Sequence, residues 1–477
     1  MKKSSLSILL FLILIHTVQA QISLYSSSFD TMEVGDIQGY VPDPELVAKF
    51  NPRKPLWIPI VESVGLNLAL GAFNAYVAQS EFAKISFKTV KHNHEMGWAT
   101  DADALITNMW AHPFHGSIYF NTARSSGYNY WTSWGVAMIG SWQWEFFMEN
   151  EPPAWNDWIM TSMAGSMMGE IFYRMSNLII DESLTGSART WNEIGAGIFN
   201  PGRLFNRLIY GRTARTTTEK LYEKRPFMGE LAFGMNNVAD GLDFENAQKN
   251  GMFTIDFAYG PLFAKRGGFK PFDFFRWYFA LNFGGVQPPI GQFRIYSILT
   301  GNVKRYESGS AFLWGVFKNY DFLENNVYQL GSVSIGPGIG YRTPPRKNLQ
   351  YLGTLNVALA PMGAANSDYA EGYRVAFLDS ARTYNMGPGA HAKMEHFIRW
   401  SWGSFYLGYS FWWIHTWDGA PGDEYIGMWT PRLRIRVYNR WFIGLEYLLY
   451  HREGIYDNYD NVSMRNNEQR LFIGYAF

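Results

Sequence analysis

His112 and His115 stand three residues apart in the run His112-Pro113-Phe114-His115, and two acids, Glu145 and Asp157, follow downstream. Imidazoles and carboxylates are the donors of zinc and other first-row metal sites, and they are equally the groups that move protons. Spacing alone does not choose between the two. Pro113 disfavours a helical His112, so the residues read as a helix start at which both rings satisfy backbone groups, and no metal or cofactor is assigned. Glu145, on a Trp-rich helix, and Asp157, near the start of the next, form the candidate pair for acid/base work. Asp157 also suits a helix N-terminus, where its charge complements the dipole. The chain has no cysteine, which excludes disulfides and thiolate catalysis. A G-x-S-x-G elbow, a phosphate loop, a calcium loop and an H-E-x-x-H helix are all absent, so the common hydrolase and nucleotide chemistries lose support.

Residues of this kind need elements to hold them. Helical spacing of apolar residues predicts helices over about 56–78, 130–149 and 155–178. Glu62, Asn67 and Asn74 interrupt the first, Glu145 the second, and Glu170 with Arg174 the third, so none reads as a clean membrane span. Gly165 and Gly169 permit close helix packing, and Glu170 with Arg174 forms an i,i+4 pair. Ahead of them, Pro42, Pro44, Pro52 and Pro55 mark residues 21–55 as an extended linker. The first twenty residues run from Lys2 and Lys3 through the apolar Ile8–Ile15 to Ala20, the order of a secretory signal peptide.

Near Arg225 the pattern changes to a two-residue period. Phe253, Ile255, Phe257 and Tyr259 alternate with Thr254, Asp256, Ala258 and Gly260, and Phe275 to Phe283 and Leu433 to Val437 behave alike. Apolar faces this aromatic, with 18% Phe, Trp and Tyr over the chain and a mean hydropathy of −0.17, suit strands with lipid on one side and a polar lumen on the other. Asp256, Arg276, Arg432, Arg434, Arg436 and Glu446 are expected to face that lumen. The runs give about twelve strands. The expected fold is therefore α+β: a helical domain over 56–224, then an antiparallel transmembrane β-barrel over 225–477. In the hairpin near Arg440, a three-residue loop of Asn439, Arg440 and Trp441 keeps outward residues paired with outward ones, setting Leu433 opposite Tyr447 and Arg434 opposite Glu446.

The chain closes on Leu471, Ile473, Tyr475 and Phe477 in alternation. This ending resembles the terminal signal of outer-membrane proteins, which implies that Tyr475 and Phe477 serve recognition by the barrel-assembly machinery. The helical region carries a second likeness. His112-Pro113-Phe114-His115-Gly116, Gly140-Ser141, Trp144-Glu145, Asn156-Asp157 and Gly169-Glu170-Ile171-Phe172-Tyr173-Arg174, between about 108 and 176, resemble the domain-of-unknown-function 3943 family. That family implies a cell-envelope location and no known reaction. A fainter likeness, through His115, Glu145, Asp157, Gly165 and Gly169, is to VanZ-like membrane proteins, from which the chain departs at Thr161.

The expected function is an outer-membrane barrel whose helical domain, on the periplasmic side, binds or supports an envelope component, lipid or glycan. An enzyme acting on lipid or glycan through His112, His115, Glu145 and Asp157, and a small-solute channel, are the alternatives. Outer-membrane lipid is the expected partner. Formal charge is zero, with 41 basic and 41 acidic residues, so nucleic acid is not expected. Oligomeric state is not legible.

Overall fold

The computed structural model describes residues 40–101, 103–241, 247–263, 267–344, 349–369 and 382–477. The stretch read as a signal peptide lies outside them. Two compact units are present, one of residues 40–101 and 110–225, the other of residues 103–109 and 226–477.

The first unit is helical: α1 Pro44–Phe50, α2 Trp57–Tyr76, α3 Phe87–Met96, α4 His112–Ser125, α5 Tyr130–Phe147, α6 Trp155–Ile159, α7 Gly165–Ile179, α8 Gly186–Phe199 and α9 Pro201–Ile209. Helix α1 corrects the reading of residues 21–55 as a linker throughout. Asp43 accepts the amide of Glu45 and Pro44 occupies the first turn, so proline starts a helix here instead of preventing one. Tyr119, Phe120, Met160, Met167, Met168 and Ile171 form the fully buried centre. Helices α4 and α7 meet through glycine. A Cβ on Gly116 would lie 1.7 Å from the Thr161 carbonyl oxygen, and one on Gly165 would lie 2.7 Å from the Gly116 Cα, so neither position accepts a side chain.

Helix α2 is long and apolar enough to cross a membrane by length and composition, although its sequence reads as broken by polar residues. Asn67 explains the difference. It is buried, donates to the Gly140 carbonyl and the Gln143 side chain, and accepts from the Tyr119 hydroxyl, which leaves Trp57, Val61, Leu68, Phe73 and Tyr76 on the exposed side.

The second unit is a closed antiparallel barrel of twelve strands: β1 Phe227–Asp240, β2 Gln248–Tyr259, β3 Phe275–Phe283, β4 Ile290–Arg305, β5 Ala311–Glu324, β6 Gln329–Arg342, β7 Gln350–Asn366, β8 Tyr384–Trp400, β9 Gly403–His415, β10 Gly422–Tyr438, β11 Trp441–Tyr456 and β12 Val462–Ala476. Each pairs with its sequence neighbour, and β1 pairs with β12 to close the sheet, Phe233 opposite Ile473 and Asn236 opposite Arg470. Phe233, Met235, Leu355, Val357, Leu359, Leu445, Leu471 and Ile473 stand exposed on the outer face.

The β10–β11 hairpin differs from the loop expected. Tyr438 pairs with Trp441 across a two-residue turn, and a bulge between Arg436 and Tyr438 shifts the register, so Leu433 faces Leu445 and Arg432 faces Glu446. The extra residue, Val437, restores the parity that a bare two-residue turn would break. Asn439, at φ 46°, supplies the left-handed backbone of the turn.

Residues 103–109 belong to the barrel unit. The Asn108 amide donates to the Tyr384 hydroxyl (2.8 Å), that hydroxyl donates to the Asp103 carbonyl (2.7 Å), and the Tyr320 hydroxyl donates to the Met109 carbonyl. Tyr320 lies opposite Val333 and shares the outward register of Trp314, so this short segment packs on the wall and not in the lumen.

An outward position tolerates no charge in lipid. Leu471→Arg is expected to cost about 2–4 kcal/mol of barrel stability when folded into lipid vesicles and titrated with urea. A loss below about 1 kcal/mol would contradict the outward assignment at mid-membrane depth.

Candidate functional site

His112 opens α4 without a break behind it, because a π-helical turn, Thr107–Ala111, leads directly into the helix. The backbone-capping role expected of the two histidines is thereby replaced. His112 Nδ1 lies 3.2 Å from the Thr161 hydroxyl, and His115 packs its ring against Tyr119 and Trp144 (centroids 4.4 and 5.1 Å) while its Nε2 has no hydrogen-bond partner. Thr161 sits in a second π-helical turn, Met160–Ala164, between α6 and α7. Such turns carry an extra residue and redirect side chains, and they recur at functional sites.

Asp157, in α6, is buried. Its Oδ1 lies 3.7 Å from His112 Nε2 and accepts from the Asn156 amide at 2.8 Å. Asn156 also accepts the backbone amide of Asp101 through its own oxygen, at 3.0 Å. One amide side chain thus fixes two carboxylate-bearing residues, and ligand atoms of Asp101, His112 and Asp157 lie within 4.8 Å of one another. Glu145 reaches the same region from α5: its Oε2 accepts the amide of Ala154, which bridges Ala99 two residues before Asp101. Its Oε1 is buried and accepts nothing.

Burial sets the protonation of this cluster. Loss of water lowers His112 to about 4 against the opposing pull of Asp101, and lowers His115 to about 3 with help from His112. Asp157 is raised well above the usual carboxylate range by burial and by the charges of Asp101, Glu145 and Glu149. Glu145 is raised by burial and by Glu149, the Ala154 amide opposing. Burial thus disfavours the charged forms of both His112 and Asp157.

Three other buried glutamates of this unit are matched by arginine. Glu170, fully buried, takes Arg124 at 2.7 Å and Arg174 at 2.8 Å. Glu182 takes Arg207 and Arg215, and Glu193 takes Arg189 and Arg207. The one ion contact of Asp157 among the described residues is His112.

Inside the barrel, Asp256 meets Arg276 at 2.6 Å and Arg432 at 3.1 Å, and Glu446 is held by Arg432 and by Arg470 at 2.9 Å. Arg434 pairs with Glu230, and Arg436 donates to the Ser401 carbonyl at a turn. The cavity among Arg276, Tyr278, Arg294, Glu395, Tyr406 and Glu446 measures about 40 Å³, room for a few water molecules. Phe477 lies against Phe227 and Phe257, and Tyr475 against Trp441.

The helical motifs now have a frame. Residues 97–202 match the domain of unknown function DUF3943. The DUF3943 segment contains the motifs from His112 to Arg174 and also reaches Asp101, and it is well short of half the chain. The VanZ-like likeness of the same stretch is not borne out. No curated protein matches the chain. Among solved structures, the NanC porin covers 51% of this chain and 98% of its own at 10% identity and a TM-score of 0.28. The channel DcaP of Acinetobacter baumannii covers 53% and 96% at 8% identity and 0.24, and the KdgM porin 52% and 99% at 8% and 0.21. Scores this low carry no argument; the barrel rests on its own strand pairing.

Sequence reading missed Asp101. It lies eleven residues before His112, and the Ala99–Ala154 bridge that brings it to Asp157 leaves no local spacing signal.

The arginine-matched Glu170 gives a stability test. Burial alone would raise its pKa, but Arg124 and Arg174 outweigh burial and hold it below the usual range. The stabilisation is therefore present above the usual carboxylate range and lost as pH falls through the lowered value. Glu170→Ala should cost the helical unit about 3–5 kcal/mol. Thermal melts followed at 222 nm would show this, and the pH dependence of the wild-type melt in acid should be flattened in the variant.

Proposed function

We propose that this chain is an outer-membrane β-barrel serving as a closed anchor, and that its helical unit binds an envelope component, lipid or glycan, from the periplasmic side. The observation that carries the reading is the contrast between the two interiors. Lumen carboxylates are matched by arginines around a small cavity of about 40 Å³, whereas the helical unit keeps Asp157 and Glu145 buried without arginine. Buried groups left so poorly compensated mark a functional site more often than a structural one.

Two features support the placement. The outer face of the barrel is apolar, as a bilayer requires. The barrel end that holds both termini carries the two-residue turns Ser401–Trp402 and Asn439–Arg440, together with the longer connection 260–274 between β2 and β3. Short turns belong to the periplasmic side of such barrels. The occupant of the helical unit's exposed apolar side, Trp57, Phe73, Trp131 and Trp142 among others, is lipid.

The full chain in planar bilayers should pass no discrete current. Purified from membranes and examined by native mass spectrometry, it should retain a lipid or glycan that is lost when Trp57, Phe73 and Trp142 are replaced together by Gln. Stepwise conductance, or retention indifferent to the triple replacement, would count against the reading.

A further inference from the structure

We infer that Asp101, His112 and Asp157 form a binding site for one divalent first-row metal ion, zinc foremost. The inference goes beyond the anchor-and-binding reading and does not depend on it.

The geometry is that of a ligand set. His112 Nε2 and Asp157 Oδ1 stand 3.7 Å apart, too far for a hydrogen bond. Two ligands sharing an ion at about 2.0–2.1 Å in a tetrahedral arrangement stand roughly 3.4 Å apart. The three ligand atoms lie within 4.8 Å of one another, so a small inward movement brings all of them to an ion. Three protein donors with a fourth position left open is the arrangement of reactive zinc sites, while sites with a purely structural role are closed by four.

The surroundings are those that hold metal ligands in place. The Thr161 hydroxyl engages His112 Nδ1, which orients the ring and leaves Nε2 toward the carboxylates. Asn156 holds Asp157 through its amide and Asp101 through its oxygen. Both devices come from the chain that immediately flanks Asp157, including the π-helical turn that displaces Thr161.

An independent observation is Glu145. It is 1% exposed, its Oε2 is fixed on Ala154 in the bridge that carries Asp101, and its Oε1 has no partner. A buried carboxyl oxygen left without a hydrogen-bond partner is costly, and no arginine reaches Asp157 as Arg124 and Arg174 reach Glu170.

The test uses the untagged, full-length protein in detergent, stripped with chelator and titrated with Zn²⁺ and, separately, Co²⁺. The expected result is one ion per chain, with cobalt giving the intense visible bands of a low-symmetry site. His112→Gln and Asp157→Asn should each weaken zinc binding by roughly 100-fold or more, beyond the 10–100-fold typical of losing an outer-shell partner. Far-UV circular dichroism and heat-modifiable gel mobility establish that each variant is folded. Should both variants fail to fold, the wild-type cobalt titration decides alone. No stoichiometric binding by the wild type, or equal binding by folded His112→Gln, overturns the inference.

Discussion

When β1 hydrogen-bonds to β12, the sheet loses its last edge, and each strand's side chains divide into those facing outward and those facing a confined interior. A charge on the inner face then has little water, so its partner must come from another strand. Asp256 of β2 draws on Arg276 of β3 and Arg432 of β10, and Glu446 of β11 draws on Arg432 and on Arg470 of β12. The Asp256–Arg432 pair links strands far apart in sequence, and the other pairs join neighbouring strands. Above this charged layer Tyr328, Leu330, Trp412, Ile426, Met428, Leu448 and Tyr450 form an apolar cluster. Charged pairs and this apolar cluster together occupy the barrel interior.

The helical unit obeys the same rule at Glu170 and Glu193, each with two arginines, and at Glu182 with three, and departs from it around Asp157. Glycines at 116 and 165 let α4 approach the π-helical turn closely enough for Thr161 to reach His112. Packing density and site geometry are thus one arrangement: the contact that forbids a side chain at Gly116 is the contact that orients the imidazole. Burial then makes the departure costly, since loss of water disfavours every charged form present.

Much of the barrel was legible because a strand's period is local. Alternation in segments such as Phe275–Phe283 set both the number of strands and their faces, and the chain's α+β division near Arg225 followed from the change of period. Register was less legible. The extra residue at Val437 has no mark in the sequence, so the β10–β11 turn came out one residue too long and Glu446 was set opposite Arg434, two residues from its partner Arg432. In the helical region the motif residues were visible, and their assembly was not. Asp101 joins His112 and Asp157 through a single backbone bridge, and Asn67, one of the polar residues that seemed to break α2, proves to face inward.

The central claim is that the lumen is closed by its own side chains. Because the chain has no cysteine, a single Thr430→Cys substitution places the only thiol on the lining of the small cavity, and Ser401→Cys places one at an exposed turn as reference. Labelling of the folded protein in vesicles with a bulky membrane-impermeant maleimide, from both sides, measures access directly. The account predicts rapid modification at position 401 and none at 430 until the barrel is unfolded; comparable rates at the two positions would mean an open pore and would contradict it.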